Sequence, residues 1–157
     1  MRLKALSGLD AGFLYLEAAG TPMHVGSLML VEPPKRRGYD LHAAVTTLIA
    51  ERLWGEAAEI DFSRHITRET LPQPGIQAQL LRRVAELHAD PLPRDRPLWR
   101  FVVIEGLADG SVAFYSKIHH AMLDGQGGVA LAHELLDLEP VFPRSTRKPA
   151  AAAAEPP

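Results

Sequence analysis

The chain has 157 residues, 46% hydrophobic and 23% charged, with 17 Lys+Arg against 19 Asp+Glu and a net charge of −2. This is ordinary globular usage in a length that suits one domain burying roughly 70% of its unfolded surface, which excludes collagen-like, coiled-coil and wholly disordered chains. The charges are interspersed, so no basic face offers nucleic acid a footprint, and the absence of cysteine excludes a disulfide framework, a thiolate zinc site and a cysteine nucleophile.

Ser7 to about Glu17 reads as a short helix, with Ser7 as N-cap and Leu9, Phe13 and Leu16 along one side. Pro22 ends it. Asp10 and Glu17 interrupt what would otherwise be a signal-peptide apolar core behind Arg2 and Lys4. His24 to Val31 reads as a strand, and the run Leu28-Met29-Leu30-Val31 predicts burial on both faces. Pro33 and Pro34 close it, and a basic loop, Lys35-Arg36-Arg37-Gly38, follows. Asp40 is a good N-cap for a helix with Leu41, Ala44, Val45, Leu48, Ile49 and Leu53 at apolar spacing.

From Trp54 to Pro74 the pattern is weak, with a short strand suggested only at Ile60-Asp61-Phe62. Gly75 to about His88 is a second amphipathic helix with Ile76, Leu80, Val84 and Leu87 inward, and Asp90 to Pro97 is irregular. Trp99 to Glu105 reads as a buried strand, and Gly106 to Gly110 turns it into a second strand, Ser111 to His120, as an antiparallel hairpin. A Gly-rich bend leads into a helix from about Gln126 to Leu138. Arg144 to Pro157, with Lys148-Pro149, five alanines and two prolines, has linker composition. The fold class is therefore α/β in the broad sense, or α+β. No run approaches the roughly eighteen apolar residues of a membrane span.

The chemistry concentrates in His119-His120-Ala121-Met122-Leu123-Asp124-Gly125, at the end of a hydrophobic strand. Successive strand residues face opposite ways. His120 therefore goes with Ile118, Ser116 and Phe114, and His119 with Lys117 and Tyr115, so one imidazole is functional and the other structural. An arbitrary His-His pair beside an Asp-Gly turn reads as two core histidines. Here the polar pair ends a buried strand before a flexible bend, which favours a general base, the commonest work of histidine. A metal site from these histidines with Asp124 needs helical spacing that a strand does not give. His133-Glu134-Leu135-Leu136-Asp137 has Asp where a zinc-protease helix has its second His. Gly125-x-Gly127-x-x-Ala130 fits a dinucleotide fingerprint in letters, but the strand before it is antiparallel in this reading. No G-x-S-x-G elbow occurs, and Ser116 is too close along one strand to His120 and Asp124 for a triad.

At this point the chain resembles the bacterial wax ester synthase/acyl-CoA:diacylglycerol acyltransferases, relatives of chloramphenicol acetyltransferase and of peptide-synthetase condensation domains. The H-H-x-x-x-D-G motif alone marks the superfamily. Leu6-Ser7-Gly8-Leu9-Asp10 with Phe13-Leu14, Pro22-Met23-His24-Val25-Gly26, Leu71-Pro72-x-Pro74-Gly75, Pro97-Leu98-Trp99 and Ile104-Glu105-Gly106-Leu107 narrow it to the family, in order from Leu6 to about Leu138.

The resemblance implies a chloramphenicol-acetyltransferase-like half: a mixed sheet with an antiparallel hairpin, flanked by helices. It implies His120 as general base, taking the proton of a diacylglycerol or fatty alcohol as it attacks the thioester of a fatty acyl-CoA, with no cofactor and no metal. His119 would support it, Asp124 would be structural, paired with an arginine such as Arg96 or Arg100, and Gly125 would give substrate access. Pro97, Leu98 and Trp99 read first as core packing and second as walls of the acyl channel. Lys35-Arg36-Arg37 reads as a solvated loop before it reads as a site for acidic phospholipid heads or CoA phosphates.

Residues 1–143 would be the N-terminal acyltransferase domain and 144–157 the interdomain linker, with the C-terminal half of the enzyme as partner. The protein would be cytoplasmic and peripheral at the inner membrane face or at lipid droplets. A further basic stretch, which the family carries between the positions of Leu53 and Trp54, is missing. Two alternatives stay open: a catalytically incomplete lipid- or acyl-binding module, and a condensation-type acyltransferase using carrier-bound donors.

Overall fold

The computed structural model describes residues 8–18, 20–51 and 60–122. Strands β1 (His24–Val31), β2 (Ile66–Thr70), β3 (Trp99–Glu105) and β4 (Val112–His119) form one sheet in the order β1-β4-β3-β2. β4 runs antiparallel to both β1 and β3, whereas β2 runs parallel to β3, so the sheet is mixed. Helix α1 (Gly8–Leu16) precedes β1, α2 (Leu41–Ile49) follows it, and α3 (Gln77–Ala89) crosses from β2 to β3, as a parallel pair requires.

Both faces of the sheet are covered. On one, Phe101, Val103, Phe114 and Ile118 pack with Ile49, and Leu41 and Val45 of α2 lean on them. On the other, Val102, Ile104, Ala113 and Tyr115 pack with Leu80 and Leu87 of α3. β3 and β4 are central and almost wholly buried, which explains their unbroken apolar runs. Asp40 caps α2 as its position suggests, its carboxylate accepting the Ala43 N–H at 3.0 Å.

Several expectations are corrected. β1 is an edge strand, so its apolar run is not buried on both faces, and Leu30 is 58% exposed. α1 stops at Leu16, well before Pro22, in a turn bridged by Ala18 and Thr21, and its Leu9 and Leu16 face out rather than in. Ile60-Asp61-Phe62 is no strand: Asp61 caps a single 3-10 turn, Phe62–Arg64, and the strand is Ile66–Thr70. Ile76 is exposed at the N-cap of α3, which begins at Gln77. β4 ends at His119, and His120 opens a 3-10 turn, His120–Met122.

Leu71-Pro72-Gln73-Pro74-Gly75 is a joint. Gly75 has φ +70°, and a Cβ there would meet the Gly106 carbonyl at 2.0 Å. Its own carbonyl accepts the Ala108 N–H at 2.9 Å, locking the start of α3 to the β3–β4 turn. Ser7, Leu53, Trp54, the Gln126–Leu138 helix and the 144–157 segment lie outside the described residues. No described helix is long and apolar enough to cross a membrane.

Candidate active site

Four motifs, those carrying Phe13, Met23-His24, Leu98 and His119-His120, converge where β1 and β4 pair. His24 opens β1 directly opposite His119. Met23, the residue before it, accepts the His120 N–H on its carbonyl at 2.9 Å. Leu98 of Pro97-Leu98-Trp99 accepts the His119 N–H at 2.9 Å. The two histidines are thus held by backbone from both sides, one from β1 and one from the entry to β3.

Their side chains have different fates. His119 is fully buried. Its Nδ1 accepts the Ala121 N–H at 3.0 Å, which leaves the proton on Nε2, and Nε2 lies 3.4 Å from Glu17 Oε1. Burial pushes the His119 pKa below its ordinary value, outweighing the opposite pull of Glu17. It is therefore a neutral imidazole without a free lone pair. His120 is half-buried, and its ring stacks on Phe13 of α1 at 5.0 Å between centroids and 23° between planes. The alternation that separated the two rings is preserved across the strand's end, although His120 already belongs to the next turn.

Glu17 holds this corner together, and it was not legible as a functional residue. Its side chain is 8% exposed. Oε1 accepts the Met23 N–H at 3.2 Å, and Oε2 accepts from Arg94 at 3.1 Å. Arg94 also donates to the Leu14 carbonyl at 2.8 Å, fastening α1 to the loop before β3. Burial acts to raise the carboxyl of Glu17. The hydrogen bonds from Arg94 and Met23, with the charges of His119 and Arg94, outweigh it and hold the group below its ordinary value. The only signal in the sequence is a carboxylate placed between a helix and the Pro-Met-His-Val-Gly motif.

A second buried polar group lies on the α3 face. His24 Nε2 donates to the His88 carbonyl at 2.6 Å, and His88 Nδ1 meets the Tyr115 hydroxyl at 2.8 Å. Gly26 of the same motif lies under this pair: a Cβ there would meet His88 Nδ1 and the Tyr115 hydroxyl, both at 2.9 Å. Lys117 is 1% exposed, and its ammonium donates to the Leu87 and Asp90 carbonyls at the end of α3, both at 2.5 Å.

Trp99 is 2% exposed, stacked on His65 at 4.2 Å, and packs in the core, while Pro97 is exposed and Leu98 partly so. Asp124 and Gly125 lie outside the described residues. Arg96 pairs with Asp95 at 2.9 Å, and Arg100 lies 3.8 Å from Glu69. Among the described residues no three metal-ligating side chains come together.

The sequence matches the wax ester synthase/diacylglycerol acyltransferase catalytic domain over residues 6–53 and 42–156. A Mycobacterium tuberculosis protein named as a diacylglycerol O-acyltransferase is 36% identical over 87% of this chain and 35% of its own length. Another from that organism, named as the diacylglycerol O-acyltransferase tgs3, is 33% identical over 88% of this chain and 59% of its own. The chain thus spans about a third to three fifths of the length of these relatives.

Among solved structures, the wax ester synthase/diacylglycerol acyltransferase of Marinobacter aquaeolei VT8 superposes with a TM-score of 0.68 at 30% identity, over 85% of this chain and 38% of that one. The starter condensation domain of the rhizomide synthetase, at 19% identity and a TM-score of 0.59, shares the fold over 85% of this chain and 36% of its own. The chain belongs to the wax ester synthase/diacylglycerol acyltransferase family.

Proposed function

We propose that this chain forms the base-bearing half of an O-acyltransferase that moves a fatty acyl group from acyl-CoA to a diacylglycerol or long-chain alcohol. The observation that carries the reading is the division of labour at the end of β4. His119 is sealed and neutral, its Nδ1 taken up by the Ala121 N–H and its Nε2 facing Glu17, whereas His120 is half-buried with its ring stacked on Phe13. His120 takes the hydroxyl proton as the acceptor oxygen attacks the thioester carbonyl. The C–O bond forms, the tetrahedral intermediate collapses with loss of the C–S bond, and the proton passes to the departing CoA thiolate. His119 supports by fixing the backbone, and Glu17 by holding Met23 and so the His120 N–H.

Asp124 would act structurally and Gly125 would leave room for substrate, both by family resemblance. Pro97, Leu98 and Trp99 contribute through a backbone hydrogen bond and core packing more than through substrate contact. In this proposal residues 1–143 form the N-terminal domain, 144–157 lead to the second half carried by the longer relatives, and the protein works at a lipid surface on the cytoplasmic side. The test is CoA release from a long-chain acyl-CoA, followed with a thiol reagent, by the protein alone and mixed with a relative's C-terminal half. Release that rises with added diacylglycerol or hexadecanol, with ester formed, supports the reading. Acyl binding without ester formation in either mixture supports a binding module and overturns it.

A further inference from the structure

Past the C-terminus of α3, on the face of the sheet that this helix covers, a cavity of about 480 Å³ opens beside Asp90 and the start of β3. Its wall carries four cationic residues, Arg64, Arg96, Arg100 and Lys117, against one acidic residue, Asp90. Among the described residues the three guanidinium groups are short of anionic partners. Arg64 and Arg96 share a single carboxylate, Asp95. Arg100 has Glu69 at 3.8 Å, but both oxygens of Glu69 already accept hydrogen bonds from Arg83, at 2.7 and 2.9 Å.

Arg100 and Lys117 are directly paired across β3 and β4, and like charges in that position oppose each other. Burial, and after it the charge of Arg100, pushes the Lys117 ammonium down to about 8. In the same wall Thr67 Oγ1 is buried without a hydrogen-bond partner. Among the described residues, positive charge and donors outnumber negative charge on this concave surface.

We propose that this cavity binds a phosphate ester, with the guanidinium groups of Arg64, Arg96 and Arg100 on its oxygens. Planar guanidinium forks match phosphate oxygens two at a time, and charge-assisted hydrogen bonds of this kind are the strong ones. The volume lies within the usual range of about 300–1,000 Å³ for small-molecule sites, so the phosphate would arrive attached to an organic group. Two sources share this chemistry, the nucleotide end of CoA and a phospholipid headgroup. The inference rests on the cavity alone and does not require His120 to be the base.

Binding is measured with the purified protein by calorimetric titration of CoA, dephospho-CoA and inorganic phosphate, and by flotation with phosphatidylcholine vesicles with and without phosphatidic acid. At least one phosphate-bearing probe is expected to bind at millimolar concentration or below. Arg100→Gln, and separately Arg64→Gln, should weaken it about tenfold, the value of one such hydrogen bond. Arg82→Gln, on the exposed side of α3 and outside the cavity wall, should not. Preference for CoA over dephospho-CoA names the nucleotide as the source, and binding only to phosphatidic acid vesicles names the headgroup. Binding to none of the probes, or binding that both cavity variants retain while their melting curves show an intact fold, overturns the proposal.

Discussion

Replacing Glu17 by Gln keeps the shape of the side chain and removes one acceptor. The carboxylate faces three donors: Met23 N–H at 3.2 Å and His119 Nε2 at 3.4 Å on one oxygen, and Arg94 at 3.1 Å on the other. An amide has one acceptor oxygen, so whichever way it turns its NH2 group confronts either the Arg94 guanidinium or the Met23 and His119 N–H groups. At 8% exposure water offers little relief. Loss of a charge-assisted hydrogen bond at such a site costs about 1.5–3 kcal/mol, which in a domain of this size lowers the melting temperature by about 3–12 °C.

The consequence for catalysis runs through Met23, whose carbonyl holds the His120 N–H, and through α1, whose Phe13 stacks on the His120 ring. A displacement on the order of 1 Å at a reacting group costs up to about a hundredfold in rate. Glu17→Gln should therefore lower kcat by about ten- to a hundredfold with KM for acyl-CoA unchanged. Circular dichroism melts and steady-state CoA release check both, and the chain itself adds no thiol background because it has no cysteine. Wild-type melting and turnover would refute the reasoning, and a raised KM at unchanged kcat would move Glu17 from positioning to substrate binding.

Gly26→Ala places a methyl 2.9 Å from both His88 Nδ1 and the Tyr115 hydroxyl, so it should cost about 1–3 kcal/mol by overpacking. A chemical-denaturation curve checks it, and an unchanged midpoint would show that the His88–Tyr115 pair can give way. Burial lowers the pKa values of His24, His65 and His119. The unfolded chain then binds protons at these sites that the folded one refuses, so stability should be full above about pH 6.5 and fall as the pH drops below it. Melting temperatures from pH 5 to 8 test this, and a flat profile would contradict it. Phe13→Ala should reduce turnover while leaving His119 and its Glu17 contact intact, read as lost kcat without a matching loss of stability.

Much of this was legible in the chain. β1 and β3 run between the residues expected, because prolines or a glycine bound unbroken apolar runs, and the Asp40 cap stands where helical spacing begins. β2 escaped notice because Ile66-Thr67-Arg68-Glu69-Thr70 buries only Ile66 and offers no apolar alternation at the edge of a sheet. Edge position also defeated the reading of β1, where Leu30 looks like core and is not. At the site, period-two alternation separated the two histidines correctly from sequence alone. What it could not show were Glu17 and Phe13, whose contacts with His119 and His120 span more than 100 positions of chain, and which only the pairing of β1 with β4 brings together.

The central claim is that the half-buried imidazole of the pair, His120, performs the proton transfer. In the complete enzyme His120→Ala, assayed for ester formation from acyl-CoA with diacylglycerol or hexadecanol, should lose at least about a hundredfold in kcat, the lower end of what a general base supplies, while melting like wild type. Ester formation within a few-fold of wild type by this variant would contradict the account.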